Sequence, residues 1–134
     1  MLFSIIIPAY NAASSLPETL SSIYQQTYDG YEIILINDGS ADATESVCKV
    51  FCESHNNTHY VRQNNMGVYE ARRKGAEISA GDYLVFVDAD DSLRFDTLSI
   101  LAREIDKCNP DIICFSYTRN PDSVSYTHLR AHET

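Results

Sequence analysis

Tyr83-Leu84-Val85-Phe86-Val87-Asp88-Ala89-Asp90-Asp91 sets an apolar run directly against three carboxylates, with no basic residue before Arg94. A run of this length and β-branched, aromatic character reads as a strand buried on both faces, which in an α/β protein is a central parallel strand. The acids then stand at its carboxyl end, where open α/β sheets bind ligands. In an extended chain Asp88 and Asp90 would project to one side, about 7 Å apart, and repel by about 2–3 kcal/mol at an effective dielectric near 20. A divalent cation with oxygen ligands, itself holding substrate phosphates, would offset that repulsion. A solvated loop with a helix cap is the bland alternative, and the buried strand before the acids weighs against it.

The same alternation extends outward in both directions. Upstream, Ser4-Ile5-Ile6-Ile7 is a short strand expected to stop at Pro8, which has no N–H for a central ladder. A helix follows, with Ser15 and Glu18 as a capping box, Pro17 in the first turn and Leu16, Leu20 and Ile23 at helical spacing, running to about Gln26. After the Asp29-Gly30 turn, Tyr31 to Ile36 reads as a second buried strand ending in Asn37-Asp38-Gly39-Ser40. The next helix is expected from Asp42, with Glu45 completing a second capping box and Val47, Val50 and Phe51 on its core face. His59 to Gln63 is a weaker strand. Asn64-Asn65-Met66-Gly67 is a loop, and Val68, Ala71, Gly75 and Ile78 mark one face of a helix stopped by Gly81. Downstream of the acids, Leu98, Leu101, Ala102 and Ile105 line a helix ending by Asn109-Pro110, and Asp111 to Tyr117 reads as a fifth strand.

Such alternation predicts a mostly parallel sheet with helices on both faces. Polar residues gather after three strands, at Pro8 to Asn11, Asn37 to Ser40 and Asp88 to Asp91, so all three clusters fall on one edge. A crevice there suits a nucleotide, with side-chain acceptors for base and ribose and a metal for the diphosphate.

Composition narrows the function further. With 134 residues the chain is one domain or part of one. A net charge of -9 argues against nucleic acid, whose binding rests on Lys and Arg. Nothing approaches the roughly 20 apolar residues of a membrane span, and Met1-Leu2-Phe3 lacks the basic region of a signal peptide, so a cytoplasmic protein is expected. The four cysteines read as buried thiols; a zinc site from Cys48, Cys52 and His55 lacks a second ligand pair.

Four motifs in order, Ser-Ile-Ile-Ile-Pro-Ala-Tyr-Asn from Ser4, Ile-Asn-Asp-Gly-Ser from Ile36, Asn65-Met66-Gly67 with Ala71-Arg72 and Gly75, and Gly81-Asp82-Tyr83 leading to the acids, resemble family 2 glycosyltransferases over residues 4 to about 117. The resemblance implies a GT-A fold, a Rossmann-like nucleotide-binding half followed by an acceptor-binding half. It implies that Pro8, Ala9 and Tyr10 frame the base, that Asp38 hydrogen-bonds it, and that Asn65, Gly67 and Arg72 lie near base or diphosphate. Asp88 would stand nearer the ribose and share with Asp90 a manganese or magnesium ion bridging the diphosphate; Asp91 is a secondary candidate. Implied with them are a nucleotide-diphosphate sugar donor, a UDP-sugar first, and a glycan or lipid-linked acceptor in cell-surface polysaccharide or glycan synthesis. The full-length protein would work in the cytoplasm, at the inner face of the membrane.

An inverting enzyme of this kind needs a carboxylate to deprotonate the acceptor. Asp96, Glu104, Asp106, Asp111, Asp122 and Glu133 do not stand in such a context, so no catalytic base is assigned. Residues 1–120 are therefore expected to be a donor-binding half, truncated before the acceptor half and inactive alone. Residues 121–134 are expected to be disordered or artefactual, resembling translated adapter read-through; His128 and His132 have helical metal spacing within that tail. The rival readings are a non-catalytic nucleotide-binding fragment and a haloacid-dehalogenase phosphatase, which would need a downstream Lys and a further acidic pair. A nucleotidyltransferase would carry a Gly-rich basic first loop, and a receiver domain would carry acids after the first strand; Pro8-Ala9-Tyr10-Asn11 fits neither.

Overall fold

The computed structural model describes residues 1–115 and 126–129. Its elements are β1 (Phe3–Ala9), α1 (Leu16–Tyr24), β2 (Tyr31–Asp38), α2 (Thr44–Ser54), β3 (Thr58–Gln63), α3 (Val68–Ile78), β4 (Tyr83–Phe86), α4 (Thr97–Cys108), β5 (Ile112–Phe115) and β6 (Tyr126–Leu129). β1 to β4 form one parallel sheet in the order β3-β2-β1-β4. β5 and β6 pair antiparallel as a separate two-stranded sheet.

All seven residues of β1 are buried because both of its faces are covered. Phe3, Ile5, Ile7 and Ala9 point to one side, into a core with Leu16, Leu20 and Ile23 of α1, Cys48 of α2 and Leu98, Leu101, Ala102 and Ile105 of α4. Ile6 points to the other side and meets Ile34, Ile36 and Ala71 of α3. Each fully buried Ile or Leu contributes roughly 1.5–3 kcal/mol, so the sheet's two-sided cover is the main source of stability. On the α3 side the helix comes down to backbone contact. A Cβ on Gly75 would sit 2.4 Å from Ile6 Cγ2.

Several expectations are corrected. β1 does not stop at Pro8 but pairs with β2 through Ala9. Ile6 presents its carbonyl toward β4, to Val87 N at 3.0 Å, so Pro8, two residues on, turns its missing N–H the same way, where the β1–β4 ladder has already ended. β4 is the last strand of its sheet rather than a central one, and Leu84 and Phe86 are 41% and 48% exposed because no described helix covers them. Val50, Val68 and Ile78 also face solvent; Thr44 and Cys48 are the buried positions of α2, and Ala71 and Gly75 those of α3. Neither capping box forms. β5 lies outside the parallel sheet and pairs with β6 instead. Tyr117 and His132 lie outside the described residues. α4 ends as expected, with Asn109 in the left-handed region at φ 46° and its N–H on Ile105 O at 2.8 Å.

Alanine at position 75 would normally gain up to about 1 kcal/mol of helix propensity over glycine. Here the contact with Ile6, held in a strand covered on both faces, outweighs it. We expect Gly75→Ala to destabilise the fold by about 1–3 kcal/mol in urea unfolding, the cost of overpacking; an unchanged or raised midpoint would show that α3 is not seated this closely.

Candidate functional site

Parallel pairing brings the ends of β1, β2 and β4 to one edge, and polar side chains then lock the loops together. Asn11 adopts φ 49°, a left-handed conformation that Asn tolerates. Its N–H donates to Ser40 Oγ (2.9 Å), and its Oδ1 accepts from Ala41 N (2.9 Å). Ala12 N donates to Thr44 Oγ1 (2.9 Å) and Ala13 N to Asp42 Oδ2 (3.2 Å). The Thr44 hydroxyl, helped by the Thr44 and Ala13 amides and opposed by burial, holds the Asp42 carboxyl below its ordinary value. The loop after β1 is thus tied to the one after β2 at four points.

Asp38 ties in a third segment. Its Oδ1 accepts from Gln63 Nε2 (2.9 Å) and Met66 N (2.8 Å), and its Oδ2 from Gly67 N (3.0 Å). The residue is 4% exposed. It caps no helix; at the start of α2, whose N-cap Ala43 has no side-chain cap, Asp42 Oδ1 accepts from Thr44 N at 3.0 Å. Next to it Gly39 has φ 70°, and a Cβ there would lie 2.7 Å from Asn65 N. Asp38 and Gly39 together set the position of Asn65, Met66 and Gly67.

The acidic stretch does not remain extended. Asp91 N donates to Asp88 O at 3.0 Å, closing a turn, and carboxylate oxygens of Asp88, Asp90 and Asp91 come within 4.8 Å of one another. All three are exposed. Burial first, then the charges of Asp90 and Asp88, push the Asp91 carboxyl above its ordinary value. Two hydroxyls fix the turn: Ser15 Oγ and Thr19 Oγ1 each donate to Ala89 O at 2.9 Å. Ser15 does not cap α1 by its side chain: its backbone already lies in the right-handed helical region, at φ -96° and ψ -30°, and its hydroxyl is turned to Ala89 O. Arg72 of α3 reaches Asp88 Oδ1 with Nη2 at 3.1 Å.

An all-carboxylate donor set fits a hard divalent cation such as manganese or magnesium. The cysteine alternative does not fit. Burial pushes the Cys48 thiol up to about 12, and His55 is stacked on Tyr24 at 3.6 Å with Nδ1 near Phe51 O.

A cleft of about 270 Å³ opens beside the acids, lined by Pro8, Tyr10, Asn11, Ala12, Ser15, Ala89 and Asp90. Pro8, Tyr10 and Asp90 were expected there. Ala9 is not: the pleat turns its side chain into the core, so only its backbone faces the loops. Asp38, Asn65 and Gly67 form the adjoining tied segment, and Arg72 with Asp88 the far side of the acidic turn. Sequence reasoning missed Asn11, Ser15, Thr19, Ser40 and Thr44 as the residues that hold the site. Their signal, short polar side chains flanking strand ends, is the same one that marks helix caps.

The sequence profile described as "Glycosyl transferase family 2" matches residues 4–133. Glycosyltransferase GlyA of Streptococcus pneumoniae is 38% identical over 128 residues, 94% of this chain and 18% of that protein. A PGL/p-HBAD biosynthesis glycosyltransferase of Mycobacterium tuberculosis is 36% identical over 116 residues, 85% of this chain and 45% of the relative. The chain thus spans less than half the length of the curated relatives it matches. Among solved structures, S. aureus TarS 1-349 in complex with UDP-GlcNAc superposes with a TM-score of 0.79 at 27% identity, covering 85% of this chain and 33% of that one. The mannosyltransferase PcManGT from Pyrobaculum calidifontis, in complex with GDP-Man and Mn2+, does so with a TM-score of 0.79 at 25% identity, covering 90% and 36%.

Two outcomes follow from the geometry of the acidic turn. Replacing both hydroxyls that hold Ala89 O, as Ser15→Ala with Thr19→Val, leaves a part-buried carbonyl without its donors and should cost about 1–3 kcal/mol in thermal or urea unfolding; no loss would mean the turn is held by other contacts. Asp91 supplies a pH dependence. A carboxyl raised in the folded state gives stability that is present below its unfolded value, near 3.8, and is lost as the pH rises through the folded value. The melting temperature of Asp91→Asn should therefore rise relative to the parent between about pH 3 and about pH 7; a constant difference across that range would contradict the assignment.

Proposed function

Because this chain belongs to glycosyl transferase family 2, we propose that the edge formed by β1, β2 and β4 holds a nucleotide-diphosphate sugar, a UDP-sugar first, for metal-dependent, inverting transfer of a hexose to an acceptor hydroxyl. The acceptor is a glycan or lipid-linked sugar of cell-surface polysaccharide synthesis. One observation carries the reading: three carboxylates lie within 4.8 Å of one another at the carboxyl end of a parallel sheet, and one of them, Asp90, lines the cleft together with Pro8 and Tyr10.

In this reading Pro8 and Tyr10 frame the base, with Tyr10, 53% exposed, free to lie against its face. The Ala9 backbone completes that wall. Asp38 keeps one acceptor direction on Oδ2 for the base while it fixes Asn65 and Gly67 at the base's edge. Asp88 meets the ribose and shares the divalent cation with Asp90. When bound, that cation supplies Lewis-acid stabilisation of the diphosphate that leaves. Arg72 adds a second positive charge on the same side. The UDP-GlcNAc complex of TarS and the GDP-Man and Mn2+ complex of PcManGT support both the ligand class and the metal.

No catalytic base is assigned. Asp96, beyond the acidic turn, is paired with Arg94 at 2.9 Å. On this reading the chain alone binds donor without transferring sugar, and residues 1–120 are the donor-binding part. A cytoplasmic location, at the inner face of the membrane in the full-length protein, is part of the proposal. No helix among the described residues is long and apolar enough to cross a membrane.

Calorimetric titration with uridine diphosphate, in manganese and in chelator, tests the site. Binding should require the metal and fall at least about tenfold in Asp90→Ala, the loss of one charged ligand. A folded protein, judged by circular dichroism, that ignores uridine and guanosine diphosphates alike would refute the donor-site reading.

A further inference from the structure

We propose that Arg72 is the built-in counter-ion of Asp88, and that a divalent cation occupies the acidic turn fully only when Arg72 leaves it. This inference rests on the donor-site reading above. It concerns how metal and nucleotide binding depend on each other.

Three observations converge on it. Arg72 Nη2 lies 3.1 Å from Asp88 Oδ1, an ion pair between α3 and the end of β4. Among the described residues the other ion pairs of α3 are local: Arg73 bridges Glu70 at 3.6 Å and Glu77 at 3.5 Å on its own helix. The same Asp88 carboxylate belongs to the trio whose oxygens lie within 4.8 Å, so the guanidinium and a cation would have to share one carboxylate. Finally, Arg72 Nε is shielded from solvent and has no hydrogen-bond partner. The guanidinium therefore leaves a donor unmatched in this arrangement, which only a shift of the side chain would satisfy.

Arginine cannot leave by losing its proton, because it stays charged at any working pH. It leaves only when another anion takes it or when a stronger cation displaces it. Metal alone must displace it, against the repulsion between two cations sharing one carboxylate. A diphosphate offers the guanidinium a bidentate partner instead, and Asp88 is released for the metal as a consequence. Nucleotide binding and metal binding then promote each other through the breaking of one ion pair, and without nucleotide the acids are kept partly neutralised and poorly loaded. By linkage the promotion is equal in both directions.

The test measures manganese binding itself, by calorimetry or by the paramagnetic resonance of free ion, in parent, Arg72→Gln, Arg72→Lys and Arg73→Gln, each checked for folding by circular dichroism. Without nucleotide, Arg72→Gln should bind manganese roughly three- to tenfold more tightly than the parent, the range expected for removing one adjacent charge in water. Arg73→Gln, which removes the same charge from the neighbouring position, should change affinity less than about twofold, since its charge is already balanced on the helix. Arg72→Lys should stay near the parent. The ratio of manganese affinities with and without uridine diphosphate should be smaller in Arg72→Gln than in the parent. Equal affinities in Arg72→Gln and Arg73→Gln, while the parent still binds manganese through Asp90, would overturn the counter-ion inference and leave the donor site standing. A parent that binds no manganese with or without nucleotide would overturn both.

Discussion

Parallel pairing of β1 with a strand on each side is the constraint from which the rest of this structure follows. A strand buried along its whole length must satisfy its N–H and C=O groups on both edges, and β1 does so with β2 from Phe3 to Ala9 and with β4 from Phe3 to Ile6. Because the strands run the same way, the three loops that follow them leave on one side. Their polar residues therefore meet although they stand as far apart in sequence as Asn11 and Ala89. A reversed β4 would carry the acids to the opposite edge, away from Pro8 and Tyr10.

Once gathered, the loops are held by hydrogen bonds rather than by apolar packing. Ser15, Thr19, Asp38, Ser40, Asp42 and Thr44 each present a side-chain oxygen to backbone groups of another segment, or accept from them. A polar group left unpaired in such a place costs about 1–3 kcal/mol, more than a made bond contributes net, so the network favours one arrangement strongly over its neighbours. The outcome is a firm base with an exposed, like-charged turn on top. Stability resides in the strands and hydroxyls, and the repulsion among Asp88, Asp90 and Asp91 is left to be relieved by a ligand or by Arg72.

What could be read in the sequence follows the physics of each signal. The apolar runs of β1 and β2 and the 3.6-residue spacing of Leu98, Leu101, Ala102 and Ile105 report burial directly, and there expectation and structure agree. The three polar clusters reported strand ends, and the sheet brought them together as expected. Capping boxes misled because the residue pattern does not fix the backbone: Ser15 itself lies in the helical region and turns its hydroxyl to Ala89 O. Pro8 misled because a missing donor matters only on an edge that has a partner. β4 misled because hydrophobicity cannot say which strand is last in a sheet. The reach of Arg72 to Asp88 was invisible, since it depends on how close α3 lies to the sheet.

That closeness is set by Gly75, one turn along α3 from Arg72, where the helix backbone rests on Ile6. A side chain at 75 would lift the helix and change the reach of the guanidinium without altering either charged partner. Position 75 thus carries two physical constraints at once, one on packing and one on the span of an ion pair, and Ile6 shares both. In evolutionary terms this predicts epistasis. A larger residue at 75 would be tolerated only alongside a smaller one at 6, and drift in that buried pair would retune the acidic edge while every residue at that edge stayed the same.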